Sequence, residues 1–379
     1  MRVAIVTESF LPQVNGVVNS VLRLAQHLSQ HDHEAIIVAP DDDQVPAQYA
    51  GFDVITLGSV AFPLYTDVKL GLTPSFVIER LLADWAPDVV HVAAPFIVGY
   101  NALLAAARLS LPTVAIYQTD VPSFAGRYGL GFLEALAWHR VRDIHSLATL
   151  TLAPSTQARD QLIAHGVPRV AIWGRGVDTD LFDPARRRDD RHDDWAPQGQ
   201  SLIGYMGRLA PEKQVSDLTV LADLPHTRLV VIGDGPSQEA LRAQLPDAVF
   251  LGKLSGLDLA EAVASLDLFV HPGELETFGQ AIQEALASGL PVLAPARGGP
   301  LDLIQPGRNG YLYPPGELDQ LRQRAAELVG DPVRRQAFAQ AARASVTQRT
   351  WPHLCDQLLE HYRSVMRPWA DGELVPDPR

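Results

Sequence analysis

The chain has 379 residues, of which 47% are hydrophobic and 20% are charged; these values are typical of a globular protein, and no run approaches the roughly 18 apolar residues of a membrane span. This length exceeds that of one ordinary hydrophobic core and predicts two domains. The formal net charge of −13 argues against nucleic acid as a partner, and the single cysteine, Cys355, excludes an internal disulfide and a cysteine-based metal site, which fits a reducing compartment.

The first half of the chain alternates strand patterns with helix patterns. Its first segment, MRVAIVTESF, is typical of a strand rather than a signal peptide because a glutamate interrupts the apolar run. A loop, PQVNG, then leads through Gly16 into an amphipathic helix. Continuous apolar strand segments fall at residues 2–8, 35–39, 53–57, 88–92, 113–117, 149–153 and 170–173. Such strands, separated by helices, predict a parallel sheet covered on both faces.

Residues 175–200 interrupt this alternation, because charged residues and prolines crowd together there and the periodicity disappears. The cycle then restarts with strand segments at residues 202–207, 228–235, 248–254, 266–272 and 291–296. We therefore predict an α/β protein with two doubly wound domains that face each other across a ligand-binding cleft. The predicted boundaries are 1–177 for the first domain, 178–200 for a linker, 201–350 for the second domain and 351–379 for a C-terminal helix that crosses back to the first domain.

The stretch ETFGQAIQEALASGLPVLA, residues 276–294, predicts a loop, a helix that starts near Phe278 or Gly279, a glycine stop and a buried strand. Bare backbone amides at a helix start bind anions. Glu276 precedes that start and Glu284 lies inside the helix, so both carboxylates flank whatever the amides bind. The alternative is a pair of solvated glutamates on a surface helix.

The segment GRLAPEK, residues 207–213, follows a predicted strand and presents Arg208 and Lys213 beyond its carboxyl end. Arginine binds two phosphate oxygens at once, and lysine contributes a mobile point charge. Together with the helix amides, these cations predict a diphosphate site that needs no metal ion. Alone, they would equally fit a charged surface loop.

GRLAPEK, FLGKL, HPGELETFGQAIQEALASG and GGPLDLI together resemble the retaining glycosyltransferases of family 4, which have the GT-B fold and an E-x7-E motif. The resemblance covers nearly the whole chain and is strongest to bacterial GDP-mannose-dependent mannosyltransferases that glycosylate lipids. It implies that Glu276 binds the donor sugar's hydroxyls and that Glu284 binds the ribose hydroxyls. It also implies that backbone groups of Phe278, Gly279 and Gln280 face the sugar or diphosphate.

The same resemblance assigns two further donor contacts. FLGKL is similar to the segment that reads the nucleotide base, through backbone groups near Lys253 and Leu254. The loop at Gly16 would meet the diphosphate from the first domain, where a glycine permits close approach of the backbone. The side chains of FLGKL do not indicate whether the base is guanine or uracil.

The segment AIYQTDVPSF, residues 115–124, is expected to lie in the cleft, and it departs from the family at Gln118, where many relatives have histidine. Glutamine cannot shuttle a proton near neutral pH, but it can hold a sugar hydroxyl or a phosphate oxygen. Asp120 is a candidate for binding the acceptor hydroxyl, with capping of the loop as the alternative. His91 ends a strand and either lines the cleft or packs in the core.

The stretch RYGLGFLEALAWHRVRDIHSLA, residues 127–148, predicts a helix with three arginines on or before it, Arg127, Arg140 and Arg142. Basic side chains with exposed aromatics bind anionic lipid surfaces. A helix that only covers the sheet has a similar pattern. Separately, Arg127 or Tyr128 is a candidate for acceptor binding.

We therefore predict a retaining hexosyltransferase that moves mannose from GDP-mannose to a membrane glycolipid, such as a phosphatidylinositol-like or glucuronosyl-diacylglycerol-like acceptor. No metal and no other cofactor is expected. The predicted location is cytoplasmic, peripheral at the inner face of the cell membrane. The alternatives are a UDP-sugar-dependent glucosyl or sulfoquinovosyl lipid transferase, a GT-B sugar-nucleotide epimerase, and a non-catalytic nucleotide-sugar sensor.

Overall fold

The structure is a computed structural model that describes residues 1–13, 15–42, 44–62, 65–71, 73–118 and 131–367. It divides into two compact units. The first comprises Met1–Gly174 together with the chain from Pro352 onward, and the second comprises Arg175–Trp351. Within the described residues, no helix is both long enough and apolar enough to cross a bilayer.

The first unit is built on an eight-stranded sheet whose strands are parallel except at one edge. Its elements are β1 (Arg2–Val6), α1 (Gly16–Gln30), β2 (Glu34–Pro40), β3 (Gln48–Tyr49), β4 (Phe52–Leu57), β5 (Ser59–Phe62), β6 (Tyr65–Gly71), α2 (Ser75–Trp85), β7 (Val89–Val92), α3 (Val98–Arg108), β8 (Thr113–Ile116), α4 (Gly131–Ser146), β9 (Leu150–Ala153), α5 (Thr156–Ala164) and β10 (Val170–Ile172). The strand order is β10-β9-β8-β7-β1-β2-β4-β3, and β5 pairs separately with β6. All seven predicted strands are present; β3, β5 and β6 were not predicted.

Helix α1 shows why the sequence folds in this way. Asn15 caps it, since its side-chain oxygen accepts from the amides of Val17 and Val18 at 2.9 and 3.0 Å. Val21, Leu24 and Leu28, at helical spacing, are at most 1% exposed and pack on the sheet. Each such side chain contributes about 1.5–3 kcal/mol when it is fully buried.

The second unit has a six-stranded, wholly parallel sheet in the order β13-β12-β11-β14-β15-β16. Its elements, with the last helix of the chain, are α6 (Asp189–Trp195), β11 (Ser201–Met206), β12 (Thr227–Ile232), α7 (Gln238–Gln244), β13 (Val249–Gly252), α8 (Gly256–Ala264), β14 (Leu268–Val270), α9 (Gln280–Ala287), β15 (Val292–Pro295), α10 (Pro300–Leu303), β16 (Gly310–Tyr313), α11 (Leu318–Gly330), α12 (Pro332–Val346) and α13 (Trp351–Met366). Hydrophobic clusters cover both faces of this sheet. The prediction of two doubly wound α/β units is confirmed.

The charged segment 178–200 is more ordered than its composition suggests. It contains a short 3₁₀ helix (Pro184–Arg186) and α6, and it belongs to the second unit. His192 bonds to Asp267 at 2.9 Å, and Asp183 pairs with Arg343 at 2.6 Å. Its charges therefore bind the second unit instead of only facing water.

Helix α13 packs on the first unit. Leu358 and Tyr362 are fully buried in that unit's core, and the indole of Trp173 donates to the carbonyl of Leu354 at 2.7 Å. Cys355 is buried on the same helix, and burial raises the pKa of its thiol to about 12. A thiol with this pKa stays protonated at neutral pH, which fits a packing role for Cys355.

Candidate functional site

The carboxyl ends of β11 and β14 form the switch point of the second sheet. Strand order runs outward in opposite directions from this adjacent pair, so the loops that follow the two strands diverge and leave a crevice. The loop after β11 carries Arg208 and a 3₁₀ turn (Pro211–Lys213), and the loop after β14 carries Glu276. The topology thus places the two predicted motifs side by side.

Lys213 and Glu276 form an ion pair at this switch point. The Lys213 ammonium lies 2.8 Å from Oε2 of Glu276, and the two side chains are only 27% and 16% exposed. His271, buried at the end of β14, has Nε2 3.4 Å from the same oxygen. Burial acts to raise the pKa of Glu276, but Lys213 and His271 outweigh it and hold that pKa well below its ordinary value. Glu276 is therefore a carboxylate at any physiological pH.

Two glycines hold the Glu276 loop against its neighbour. The amide of Gly299 donates to the carbonyl of Glu276 at 2.8 Å. A Cβ on Gly298 would collide with the carbonyl oxygen of Glu276, and one on Gly299 would collide with that of Phe278. Gly298 also has φ of +70°, which few other residues adopt. The GGP sequence is therefore required for the backbone approach that fixes the loop.

Helix α9 begins at Gln280, with Gly279 as its N-cap at φ of 97°. The amide of Gly279 donates to Oε1 of Glu276 at 3.2 Å. Phe278 is 3% exposed and lies in the core. In this structure, then, Glu276 occupies one of the three amides that the sequence suggested for a sugar or diphosphate.

Glu284 lies on the second turn of α9 and is half-buried. Its Oε1 accepts from the side-chain amide of Gln280 at 3.1 Å, and Gln280 also contacts the carbonyl of Gly176 at 3.3 Å. Burial raises the pKa of Glu284 to about 7, although the bond from Gln280 acts in the opposite direction. The surroundings of the two glutamates thus shift their pKa values in opposite directions.

Arg208 has a fixed backbone and an exposed side chain. The hydroxyl of Tyr205 donates to the Arg208 carbonyl at 3.0 Å, and the Tyr205 ring stacks on His271 with 6.5 Å between centroids. Tyr205 therefore fixes the backbone of Arg208 just beyond β11, whereas the side chain of Arg208 is exposed. Lys253 is also exposed, after β13, and Leu254 packs on the core beside it.

In the first unit, the predicted anion site at Gly16 is a capped helix start. Gly16 is the first residue of α1, as expected, but the Asn15 side chain occupies the next two amides. Gln118 is 8% exposed, and its side-chain amide donates to the carbonyl of Ala93 at 2.5 Å. Asp120 lies outside the described residues.

The basic side chains of α4 have partners within the first unit. Arg140 lies over the ring of Tyr100, 3.9 Å from its centroid. Arg142 lies 2.9 Å from a ring nitrogen of His139 and 3.8 Å from Asp143. Arg127 and Tyr128 lie outside the described residues, so the proposed lipid-facing cluster is described only in part.

His91 is a core residue, the second of the two interpretations that the sequence left open. It is 2% exposed, and its Nδ1 lies 2.7 Å from the hydroxyl of Tyr362. Burial lowers its pKa to about 3, so the ring is neutral.

Sequence reasoning missed two groups at the switch points. His271 lies in the segment HPGELETFGQAIQEALASG, and its position directly after a buried strand is the signal that could have identified it. In the first unit, Oε1 of Glu8 accepts from the amides of Phe96, Ile97 and Gly99 at 2.7–2.9 Å, at the start of α3. Burial raises the pKa of Glu8, although these amide bonds act against the shift.

Comparisons with known proteins agree with this geometry. The family model described as Glycosyltransferase Family 4 matches residues 14–181, and that described as Glycosyl transferases group 1 matches residues 187–345. A GDP-mannose-dependent alpha-mannosyltransferase of Mycobacterium tuberculosis is 50% identical over 96% of this chain and 97% of its own. An enzyme of the same name from Mycolicibacterium smegmatis is 47% identical over 97% and 98%. The crystal structure of Anabaena Alr3699/HepE in complex with UDP is similar in fold, with a TM-score of 0.78 at 19% identity over 96% of this chain and all of that one.

Proposed function

The chain belongs to glycosyltransferase family 4, and from this premise we propose that it transfers mannose from GDP-mannose to a membrane glycolipid with retention of anomeric configuration. The proposed donor follows from the names of the similar enzymes, which match this chain over nearly its whole length. The observation that carries the reaction type is the Lys213–Glu276 ion pair at the switch point of the second sheet.

The ion pair supplies both charges that glycosyl transfer requires. Negative charge develops on the leaving diphosphate, and a preorganised cation next to it lowers the barrier. In our proposal, the ammonium of Lys213 and the guanidinium of Arg208 bind the diphosphate. Glu276, released from Lys213, accepts hydrogen bonds from the hydroxyls of the mannose. The ion pair thus fixes the positions of both groups at the switch point.

Glu284 binds the ribose hydroxyls in the same proposal. A pKa of about 7 means that this carboxyl is close to half protonated at neutral pH when no donor is bound. Two hydroxyl donors favour the ionised form, so binding of the donor should lower this pKa and release a proton. Backbone groups near Lys253 and Leu254 read the base, and Gly16 and Gln118 contact the donor or acceptor from the first unit.

Transfer with retention is proposed to proceed by attack on the same face from which the diphosphate departs. The acceptor hydroxyl then passes its proton to the leaving phosphate, so the protein supplies position and charge. Asp120 orients the acceptor in this scheme. Because Arg208 and Lys213 supply the positive charge, we propose that no divalent metal is required; turnover should survive EDTA, and loss that magnesium or manganese restores would contradict this.

The acceptor is proposed to lie in a membrane that the protein binds peripherally through Arg127, Arg140 and Arg142. Co-sedimentation with vesicles containing anionic lipid should fall as salt is raised, because ions screen surface charge. Neutral vesicles are the matched control. Equal turnover on lipid and on short water-soluble sugars would instead favour a soluble acceptor.

The experiment that tests the donor is a thermal-shift panel of GDP-mannose, GDP, UDP-glucose and ADP-glucose. Among the three sugar nucleotides, only the cognate donor should stabilise the fold strongly, since stabilisation grows with the ratio of ligand concentration to Kd. Stabilisation by UDP-glucose and not by GDP-mannose would favour the UDP-sugar-dependent alternative. Product analysis with the cognate donor and no acceptor separates a transferase from an epimerase.

A further inference from the structure

Three possible metal ligands meet where α13 lies beside the end of α1. His27 is in the last turn of α1, His31 is the C-cap residue one turn later, and Asp356 is on α13. One ligand atom from each residue lies within 4.8 Å of the other two. All three residues belong to the first unit, and the proposed sugar transfer uses none of them.

One pair of ligand atoms is at the separation expected for a shared ion. Nε2 of His27 and Oδ1 of Asp356 are 3.0 Å apart, and the ligand atom of His31 lies within 4.8 Å of both. Two ligands of a tetrahedral zinc ion, each bonded at about 2.0–2.1 Å, lie roughly 3.3 Å from each other. The His27–Asp356 separation is therefore close to what a shared ion requires.

Hydrogen bonding sets the tautomer of His31. Its Nδ1 donates to the carbonyl of His27 at 2.8 Å, which leaves Nε2 with the lone pair. A bond from the second ring nitrogen to a carbonyl is the arrangement that orients most histidine ligands of metals. The position of His31 at the C-terminal end of α1 also favours a bound cation, because that end of a helix carries partial negative charge.

His27 is the buried member of the group. It is 4% exposed, and its Nε2 faces Oδ1 of Asp356. The His27–Asp356 contact alone involves two residues, and His31 adds the third ligand atom close to both.

We propose that His27, His31 and Asp356 form a binding site for Zn²⁺ or a similar borderline divalent ion, with water in the fourth position. Two imidazoles and a carboxylate suit zinc, cobalt or nickel better than magnesium. The ion fastens α13 to α1 and stabilises the folded first unit by mass action. It is a structural ion, so turnover does not depend on it chemically.

The test uses the untagged full-length protein after treatment with a chelator, because a histidine tag would bind the same ions. Zinc is titrated by calorimetry, cobalt is followed by its visible absorption, and the melting temperature is measured with zinc, with magnesium and with neither. The variants are His31→Ala and Asp356→Asn, which change exposed side chains. The control is His353→Ala, which removes an exposed histidine that is on α13 but outside the cluster.

We expect one equivalent of zinc, a tetrahedral cobalt spectrum, and a rise in melting temperature with zinc but not with magnesium. Either ligand variant should weaken zinc binding at least about tenfold, and His353→Ala should not. The proposal is overturned if the wild-type protein binds no zinc, if the ligand variants bind it as tightly as the wild type, or if His353→Ala abolishes binding. Circular dichroism of the metal-free variants checks that they are folded, and if one variant does not fold, the other decides.

Discussion

The two sheets share the same kind of switch point but fill it differently. At the second, between β11 and β14, Lys213 and Glu276 pair as opposite charges beside the buried His271. At the first, between β1 and β7, Glu8 is satisfied by backbone amides, and the nearby polar group Gln118 is neutral. The same topology therefore carries an ion pair at one sheet and a carboxyl held by backbone amides at the other.

Lys213→Ala tests the charged switch point most severely. If its ammonium stabilises the leaving diphosphate, turnover should fall by about 10²–10³-fold, the usual cost of losing one such group. Circular dichroism should show an intact fold, and Arg242→Ala, which removes an exposed cation of the same unit, should leave turnover unchanged. Near-normal turnover of the Lys213 variant would remove the contrast between the two switch points.

Glu284→Gln tests how much folding stability is lost by burying the ionised carboxylate of Glu284. Its pKa is about 7 in the folded protein and about 4.5 in the unfolded chain, so the folded state retains a proton that the unfolded chain has already released. Stability contributed by this group is therefore fully present below pH 4.5 and is lost as the pH rises to 7. Removing the charge should stabilise the protein by up to about 3 kcal/mol at pH 8 and by much less at pH 5.

The measurement is the melting temperature of wild type and Glu284→Gln across that pH range. Glu239→Gln, which changes an exposed carboxylate on α7, is the matched control and should show no such trend. A Glu284 variant that is less stable than wild type at pH 8 would contradict the expectation.

Glu276→Gln and Glu284→Gln together separate the two roles within the motif. Glu284→Gln should weaken GDP and GDP-mannose alike, by about 1–3 kcal/mol for a lost charged hydrogen bond. Glu276→Gln should leave GDP affinity nearly unchanged and lower the single-turnover rate at least about tenfold, since the Glu276 carboxylate orients the reacting sugar. Calorimetry with both ligands and rapid-quench rates check this; the opposite pattern would mean that the roles are reversed.

Glu8→Ala tests the first switch point and should have the smallest effect. It leaves the amides of Phe96, Ile97 and Gly99 without their acceptor, which should cost about 1–2 kcal/mol of stability. Glu8→Gln keeps one acceptor oxygen and should cost less. Thermal unfolding of the full chain measures both, beside Glu79→Ala, which breaks a partly exposed pair with Arg108 and should cost at most about 1 kcal/mol.

The sequence was sufficient for the main architecture, because the apolar segments predicted at residues 2–8 and 266–272 contain β1 and β14, which are buried strands of parallel sheets. It was not sufficient for strands β3, β5, β6 and β16. β16, with the sequence GYLY, and β3, with only two residues, are formed by pairing with a neighbour and not by their own patterns.

The site was predictable where strand order alone brings residues together. Lys213 and Glu276 are far apart in sequence, yet both follow adjacent parallel strands, so their proximity could be expected from topology. The capping of Gly279 by Glu276 and of two α1 amides by Asn15 could not be expected, because side-chain geometry decides both. The roles assigned to these residues stay predictions.

Gly298 and Gly299 constrain how this enzyme can be redesigned. Any side chain at either position would push the backbone at Glu276 or Phe278 aside, so the loop cannot be reshaped one substitution at a time. A library that varies these two positions should contain almost no active members. Changes in donor preference are more readily sought at exposed positions such as Lys253, where a new side chain displaces only solvent.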